Sequence, residues 1–257
     1  MKKLHLISLL VAGAMTAASV SAQVIVSETF AGETPGATLP GTTTTTGGGT
    51  WVTDDGENQS PVFVDLGGGD IAIEWTKASG TREHAFNIPS MTQGIYSVDI
   101  NFVQDGLDNT TTKDAITFRV ASTPNMGAGT NTSFFVDRSF QGFALDSWHT
   151  VTMIFNGDAS PMNYDTTGLT DTGALGGLGT VAAGEAHLFV DGDLFKNDQA
   201  AVSGAVTYAG FVAFKSPTTP IIFEMDNFTV SAVPEPTTFA LLAGLGAIGL
   251  VLYRRRR

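Results

Sequence analysis

Apolar and polar residues alternate along much of this 257-residue chain, and this alternation limits the possible folds more than any other feature. In the clearest stretch, Gly94–Val103, the residues Tyr96, Val98, Ile100 and Phe102 alternate with residues that are mostly polar. Successive side chains of a β-strand point to opposite faces, so the pattern predicts a strand with one buried face.

The same period recurs along the chain, and no stretch between the two terminal segments predicts a long helix. Asp191-Gly192 joins two of the apolar runs and predicts a hairpin, because a type I′ turn needs positive φ at both positions. A series of short strands with such turns predicts an all-β fold, a jelly-roll or lectin-like β-sandwich. The further predicted strands are Val24–Val26, Val62–Val64, Ile71–Trp75, Ala115–Val120, Ser133–Asp137, Trp148–Asn156, His187–Val190, Asp193–Phe195, Val202–Ala205, Phe211–Lys215, Ile221–Met225 and Phe228–Val230.

The N-terminal segment has the layout of a secretory signal peptide. Lys2 and Lys3 precede an apolar run, Leu4–Val11, and small residues follow up to Ala22. We expect the signal peptide to cover residues 1–22, with cleavage between Ala22 and Gln23. The protein would then be exported through the Sec translocon.

The C-terminal segment predicts a membrane anchor. Pro234 and Pro236 end the preceding fold because proline lacks a backbone donor, and an apolar run continues to Tyr253. Arg254–Arg257 follow directly and would stop translocation. We therefore expect a β-sandwich ectodomain over residues 23–232 and a terminal segment over 233–257, with a transmembrane helix at 238–253.

This terminal segment resembles the PEP-CTERM sorting signal of Gram-negative bacteria. The resemblance rests on Pro234, Glu235 and Pro236, then an apolar helix, then four arginines, in that order. It implies recognition by an exosortase, a membrane transpeptidase that processes the tail. The protein would be anchored transiently in the inner membrane and then reach the cell surface or extracellular matrix, often alongside exopolysaccharide. The arginines of the motif are Arg254, Arg255, Arg256 and Arg257.

The ectodomain resembles laminin-G-like and concanavalin-A-like jelly rolls. The resemblance rests on Trp148–Asn156, on the strand–Asp-Gly–strand unit His187–Phe195, and on the closing strand Glu224–Val230. Such domains bind glycans, cleave them or bind proteins, so the fold alone leaves the function open.

Composition narrows the choice of partners. The formal net charge is −12 although Lys2, Lys3 and Arg254–Arg257 lie in the terminal segments, so the ectodomain is more acidic than the whole chain. This charge opposes binding to nucleic acids and anionic polymers. The chain has no cysteine, so the core itself or bound ions must stabilise the exported domain.

Two arrangements of carboxylates raise the possibility of sugar chemistry. Glu224 and Asp226 are two residues apart and share a strand face, but Thr229 stands where the jelly-roll glucanase motif has a second glutamate. We therefore predict no catalytic residue there.

A sugar groove is the second possibility. Trp51 and Trp75 would line it with the acidic residues nearby, although tryptophans in strands are more often core residues. The acidic residues are Asp54, Asp55 and Glu57.

The resemblance to lectin-like sandwiches implies calcium as the candidate cofactor. Candidate ligands are Asp105, Asp108 and Asp114 in one loop, with Asn109, and Asp191 and Asp193 at the predicted hairpin. Their spacing matches no EF-hand, so no ligand set is assigned. The remaining candidates, His84, His149 and His187, lack metal-ligand spacing.

The sequence thus predicts a non-enzymatic, exported, exosortase-sorted protein of the cell surface or matrix, with extracellular polysaccharide as its candidate partner. A secreted glycan-active enzyme on the same fold is one alternative. A structural matrix component without a specific ligand is the other.

Overall fold

The structure, a computed structural model, describes residues 22–39, 50–53, 61–77, 82–104, 115–124, 132–137, 142–201, 204–213 and 221–233. All regular secondary structure in these ranges is β. The strands are β1 (Gln23–Glu28), β2 (Trp51–Thr53), β3 (Val62–Gly67), β4 (Asp70–Lys77), β5 (Arg82–Met91), β6 (Gln93–Gln104), β7 (Ala115–Ala121), β8 (Thr132–Asp137), β9 (Trp148–Asn156), β10 (Met162–Asn163), β11 (Thr180–Val181), β12 (Glu185–Val190), β13 (Asp193–Ala200), β14 (Val206–Ala213) and β15 (Ile221–Ala232).

The strands form two main antiparallel sheets. The large, eight-stranded sheet has the order β13-β12-β9-β6-β15-β4-β3, with β1 also paired to β15. The small sheet has the order β2-β5-β14-β7-β8, and β10 and β11 form a separate ribbon. The inner faces of the sheets pack together: the Trp51 and Phe228 rings lie 5.3 Å apart, and Tyr96 Oη donates to the Gly210 carbonyl at 3.1 Å. The predicted all-β sandwich is confirmed.

Aromatic side chains fill the space between the two sheets. Phe30, Trp51, Phe86, Phe211 and Phe228 surround one another with ring centroids 4.7–6.2 Å apart. Edge-to-face and tilted arrangements at these distances favour packing beyond the burial of area alone. The inward residues predicted for β6, β7 and β9 are all buried here, as the period of two requires. This core stabilises a domain that has no disulfide.

A second apolar cluster lies on the outer face of the large sheet. Ile154, Phe189 and Leu194 project outward there and are covered by residues 157–184, which we call the cover. Met162, Tyr164 and Val181 are the buried apolar side chains that the cover contributes. Val233, directly after β15, completes the cluster. The cover therefore hides one half of the outer face.

Several predicted strand boundaries need correction. Gly204 and Ala205 belong to no strand, because β14 begins at Val206. The predicted strands Ile221–Met225 and Phe228–Val230 are one strand, β15, with a change of register between Asp226 and Thr229.

Another strand was not predicted, whereas the predicted hairpin is confirmed. β5 was not predicted, because Asn87 and Pro89 interrupt its apolar residues. The hairpin was predicted correctly: Asp191 and Gly192 have φ of 50° and 81°.

The first and last described strands pair with each other. In this antiparallel pair Gln23 lies opposite Ala232 and Glu28 opposite Phe228. None of the described residues forms a helix long and apolar enough to cross a membrane. The predicted helix at 238–253, the sorting motif after Val233 and nearly all of the predicted signal peptide lie outside the described residues.

Candidate ligand-binding face

The rest of the outer face carries a continuous polar row across four strands. Trp148 of β9 lies opposite Asn101 of β6, Asn101 opposite Glu224 of β15, and Glu224 opposite Glu74 of β4. Directly opposed residues in antiparallel strands project from the same face. Their neighbours along each strand, such as Phe102 and Phe223, are buried in the core, so this first row points outward.

A second row runs beside the first. Thr150 lies opposite Asp99, and Asp99 lies opposite Asp226. Thr150 Oγ1 donates to Asp99 Oδ1 at 2.6 Å, and Asn227 Nδ2 donates to Asp99 Oδ2 at 2.8 Å. Asp99 is therefore fixed in place by two hydrogen-bond donors.

The two rows hold four carboxyl groups and no lysine or arginine. Asn101 Nδ2 donates to Glu224 Oε2 at 2.9 Å, which orients that carboxylate. Burial raises the pKa of Glu74, and repulsion from Glu224 raises it further. Burial is also the main cause that raises the pKa of Asp226 to about 6. Asn101 Oδ1 is buried and accepts no hydrogen bond within the described part of the chain. The face is thus rich in acceptors and poor in donors.

Trp148 brings an aromatic surface to the end of the first row. It is 39% exposed, whereas Trp51 and Trp75 are 2% and 1% exposed and pack in the core. The hypothesis of a sugar groove at Trp51 and Trp75 is therefore wrong. Asp54, Asp55 and Glu57, assigned to the same groove, lie outside the described residues.

The alternation along β9 already indicates that Trp148 faces away from the core. Val151, Met153 and Phe155 point inward, so Trp148 must lie on the opposite face of β9.

The structure places the two acids that were compared with the glucanase motif on one face of β15, as their spacing predicts. Glu224 and Asp226 both belong to the polar rows, but the carboxyl directly across from Glu224 is that of Glu74. Cross-strand neighbours of this kind have Cβ atoms about 4.5–5.5 Å apart. Glu74 and Glu224 are therefore a directly opposed carboxyl pair in the first row, as Asp99 and Asp226 are in the second.

The structure gives protein partners to two of the calcium candidates. Asp191 accepts a hydrogen bond from the Thr150 amide at 2.8 Å and contacts His149 Nδ1 at 2.8 Å. Asp193 accepts from the Thr172 amide at 2.8 Å, which helps to lower its pKa. Both carboxylates thus fasten loops near the hairpin. Asp105, Asp108 and Asp114 lie outside the described residues.

Each of the three candidate histidines contacts other side chains of the folded domain. His149 stacks on Phe143 with ring centroids 4.1 Å apart, and His187 Nδ1 lies 2.8 Å from Tyr164 Oη under the cover. His84 is buried in the core. Among the described residues, no group of three or more histidine or acidic side chains is placed to hold a metal ion.

The C-terminal residues match a known family model. Residues 232–257 match the PEP-CTERM protein-sorting motif. The predicted sorting motif is confirmed, and it supports an exported protein that is sorted at the membrane. The comparison with curated proteins finds no match.

Solved structures with a related arrangement have low sequence identity. The botulinum neurotoxin serotype G binding domain is 11% identical, covering 87% of this chain and 51% of its own, with a TM-score of 0.45. This chain thus spans about half of that domain. Alginate lyase Aly36B is 8% identical, with coverages of 84% and 98% and a TM-score of 0.44. The CBM22-1 xylan-binding domain from Paenibacillus barcinonensis Xyn10C is 9% identical, with coverages of 85% and 99% and a TM-score of 0.39.

Proposed function

We propose that this chain is an exported, exosortase-sorted surface or matrix protein that binds a glycan on the two polar rows without cleaving it. The observation that carries the binding proposal is the first row, in which exposed Trp148 continues the line of Asn101, Glu224 and Glu74. The motif match at residues 232–257 supports the sorting part.

The chemistry of the rows favours a ligand that donates hydrogen bonds. Sugar hydroxyls donate to carboxylates such as those of Glu74 and Glu224, while the C–H face of a sugar ring packs on an indole such as Trp148. Uronic acids would add negative charge to a face that already holds four carboxyl groups. A neutral or amino-substituted polysaccharide therefore fits better than an acidic one.

Binding of the purified protein to immobilised neutral, amino-substituted and uronic-acid polysaccharides tests this proposal. We expect retention on at least one of the first two classes and none on the third. Trp148→Ala should weaken binding about tenfold, the equivalent of roughly 1.4 kcal/mol of lost stacking and burial. The control is Leu175→Ala, which removes another exposed apolar side chain, on the cover. Equal loss in both variants would contradict the proposal, and retention of no polysaccharide would favour the structural matrix role.

Glycoside hydrolysis is the second candidate, because one observation favours it. Glu74, with its raised pKa, faces Glu224 across the strands, and retaining glycosidases pair a protonated acid with a carboxylate about 5–5.5 Å away. Release of reducing ends from a bound polysaccharide, abolished by Glu224→Gln, would establish this activity. Binding without release of reducing ends would support the non-enzymatic role.

A further inference from the structure

The strand that carries Trp148 extends past the end of one of its two neighbours. β9 pairs with β6 along its whole length, and Trp148 lies opposite Asn101 there. On its other side, β9 pairs with β12 only as far as Val151, which lies opposite Val190. The first three residues of β9, Trp148 to Thr150, therefore lie beyond the end of the β12 ladder.

The tip of the hairpin between β12 and β13 supports β9 beyond this point. The Asp191 amide donates to the Thr150 carbonyl at 2.8 Å, and Asp191 Oδ1 accepts from the Thr150 amide at 2.8 Å. His149 Nδ1 donates to Asp191 Oδ2 at 2.8 Å, because an ionised carboxylate has no proton to give. A single residue thus holds both the backbone and a side chain at the start of β9.

The His149 ring connects this hairpin tip to the core. It stacks on the Phe143 ring with centroids 4.1 Å apart and the two planes 8° from parallel. Phe143 is 3% exposed, and its ring lies 6.1 Å from that of Phe102. The start of β9 is therefore held on the core side by the Phe143 stack and on the hairpin side by Asp191.

Trp148 is the residue directly before this bridge, and its indole is the stacking surface of the first polar row. A side chain that is already ordered in the free protein loses less conformational freedom when a ligand binds. We propose that Asp191 and His149 are positioning residues that hold the Trp148 indole in place for a glycan. This inference rests on the proposed glycan-binding function.

Affinity for the polysaccharide that the unmodified protein retains tests the role of the carboxylate. Asp191→Gly keeps the positive φ of the turn and removes the carboxylate, so we expect binding about fivefold weaker, as for reordering one side chain. Asp191→Asn keeps an acceptor for the Thr150 amide and should restore most of the affinity. Asp193→Ala is the matched control: it removes a carboxylate of the same hairpin that accepts from the Thr172 amide, and the affinity should not change.

A double-mutant cycle separates positioning from a general loss of stability. In a chain that carries Trp148→Ala, Asp191→Gly should weaken binding no further, because there is no indole left to position. His149→Phe keeps an aromatic ring against Phe143 but cannot donate to Asp191, so it provides a second variant with the same expected result. Additive losses in the cycle, or equal losses in Asp191→Gly and Asp193→Ala, would overturn the proposal.

Tryptophan fluorescence of the free protein tests the positioning without a glycan. Trp51 and Trp75 are 2% and 1% exposed, so quenching by acrylamide acts mainly on Trp148, which is 39% exposed. We expect Asp191→Gly to increase this quenching and lower the anisotropy of the emission, and Asp193→Ala to change neither. Unchanged quenching and anisotropy in Asp191→Gly would refute the positioning role. The expected changes in a protein that retains no polysaccharide would support the positioning role and refute the glycan-binding function.

Discussion

His84 is an ionisable side chain placed as if it were an apolar core residue. Its ring lies 4.8 Å from that of Trp75 and 5.3 Å from that of Phe211, and neither ring nitrogen has a partner within the described residues. Burial lowers the pKa of His84 from 6.5 to about 3. His187, under the cover, has its pKa lowered for the same reason.

This placement predicts loss of stability in acid. Between pH 6.5 and about 3 the unfolded chain binds a proton at His84 and the folded chain does not. The free energy of unfolding should therefore fall with decreasing pH by up to about 1.4 kcal/mol per unit from this residue. His84→Leu should show a shallower decline in urea unfolding between pH 7 and 4, and His149→Gln, changed at a partly exposed ring, should not. Parallel declines in the unmodified protein and His84→Leu would contradict this account.

At the scale of elements, one side chain at the end of β9 ties the cover to the large sheet. Asn156 is fully buried, and its Nδ2 donates to the carbonyls of Ser160, Val181 and Ala182 at 2.8–3.2 Å. Its Oδ1 accepts from Gln93 Nε2 at 3.0 Å and from the Asp158 amide at 3.1 Å. Both ends of the cover thus depend on a single amide group.

Replacing this amide should loosen the cover before it affects the sandwich. Asn156→Ala leaves several buried carbonyls without a donor, so we expect the free energy of unfolding to fall by about 3 kcal/mol. Hydrogen exchange should accelerate across residues 157–184 and stay unchanged in β5 and β14. The control is Asn163→Ala, on β10 in the cover, where an exposed amide accepts one bond from Thr180. Uniform acceleration over the whole domain would show that the cover is not a separate unit.

The sequence could predict those features of the fold that depend on residues close together in the chain. The pleat makes neighbouring side chains alternate, so Tyr96, Val98 and Ile100 could be assigned to the core from their spacing alone. The first polar row could not be assigned this way, because it depends on the register between strands from distant parts of the chain. Glu74, Asn101 and Glu224 lie on three such strands, and no local pattern encodes their alignment.

At the scale of the whole molecule, the folded domain runs directly into the sorting motif. β15 ends at Ala232, Val233 packs into the outer cluster, and the motif match begins at residue 232. Because the last described strand ends before Pro234, we expect changes at Pro234, Glu235 or Pro236 to affect sorting without affecting the fold.

Combined Pro234→Ala, Glu235→Ala and Pro236→Ala substitutions test this separation in the native host. We expect the variant to accumulate unprocessed in the membrane fraction, as shown by its intact mass, with an unchanged circular dichroism spectrum. Combined Thr237→Ala and Thr238→Ala substitutions are the control and should be processed normally. Normal surface delivery of the Pro-Glu-Pro variant would contradict the role assigned to these three residues.

Because Gln23 lies opposite Ala232, the chain enters and leaves the sandwich at the same end, which we call the pole. In the exported precursor that we propose, signal peptidase and exosortase would both cut at that pole. Glu224 lies eight residues back along β15, so the first polar row is roughly 26 Å away at about 3.3 Å per residue. The cover closes the half of the outer face near this pole, and the first polar row lies toward the other end of the sheet. Removal of the signal peptide and processing of the C-terminal tail would thus leave the first polar row undisturbed.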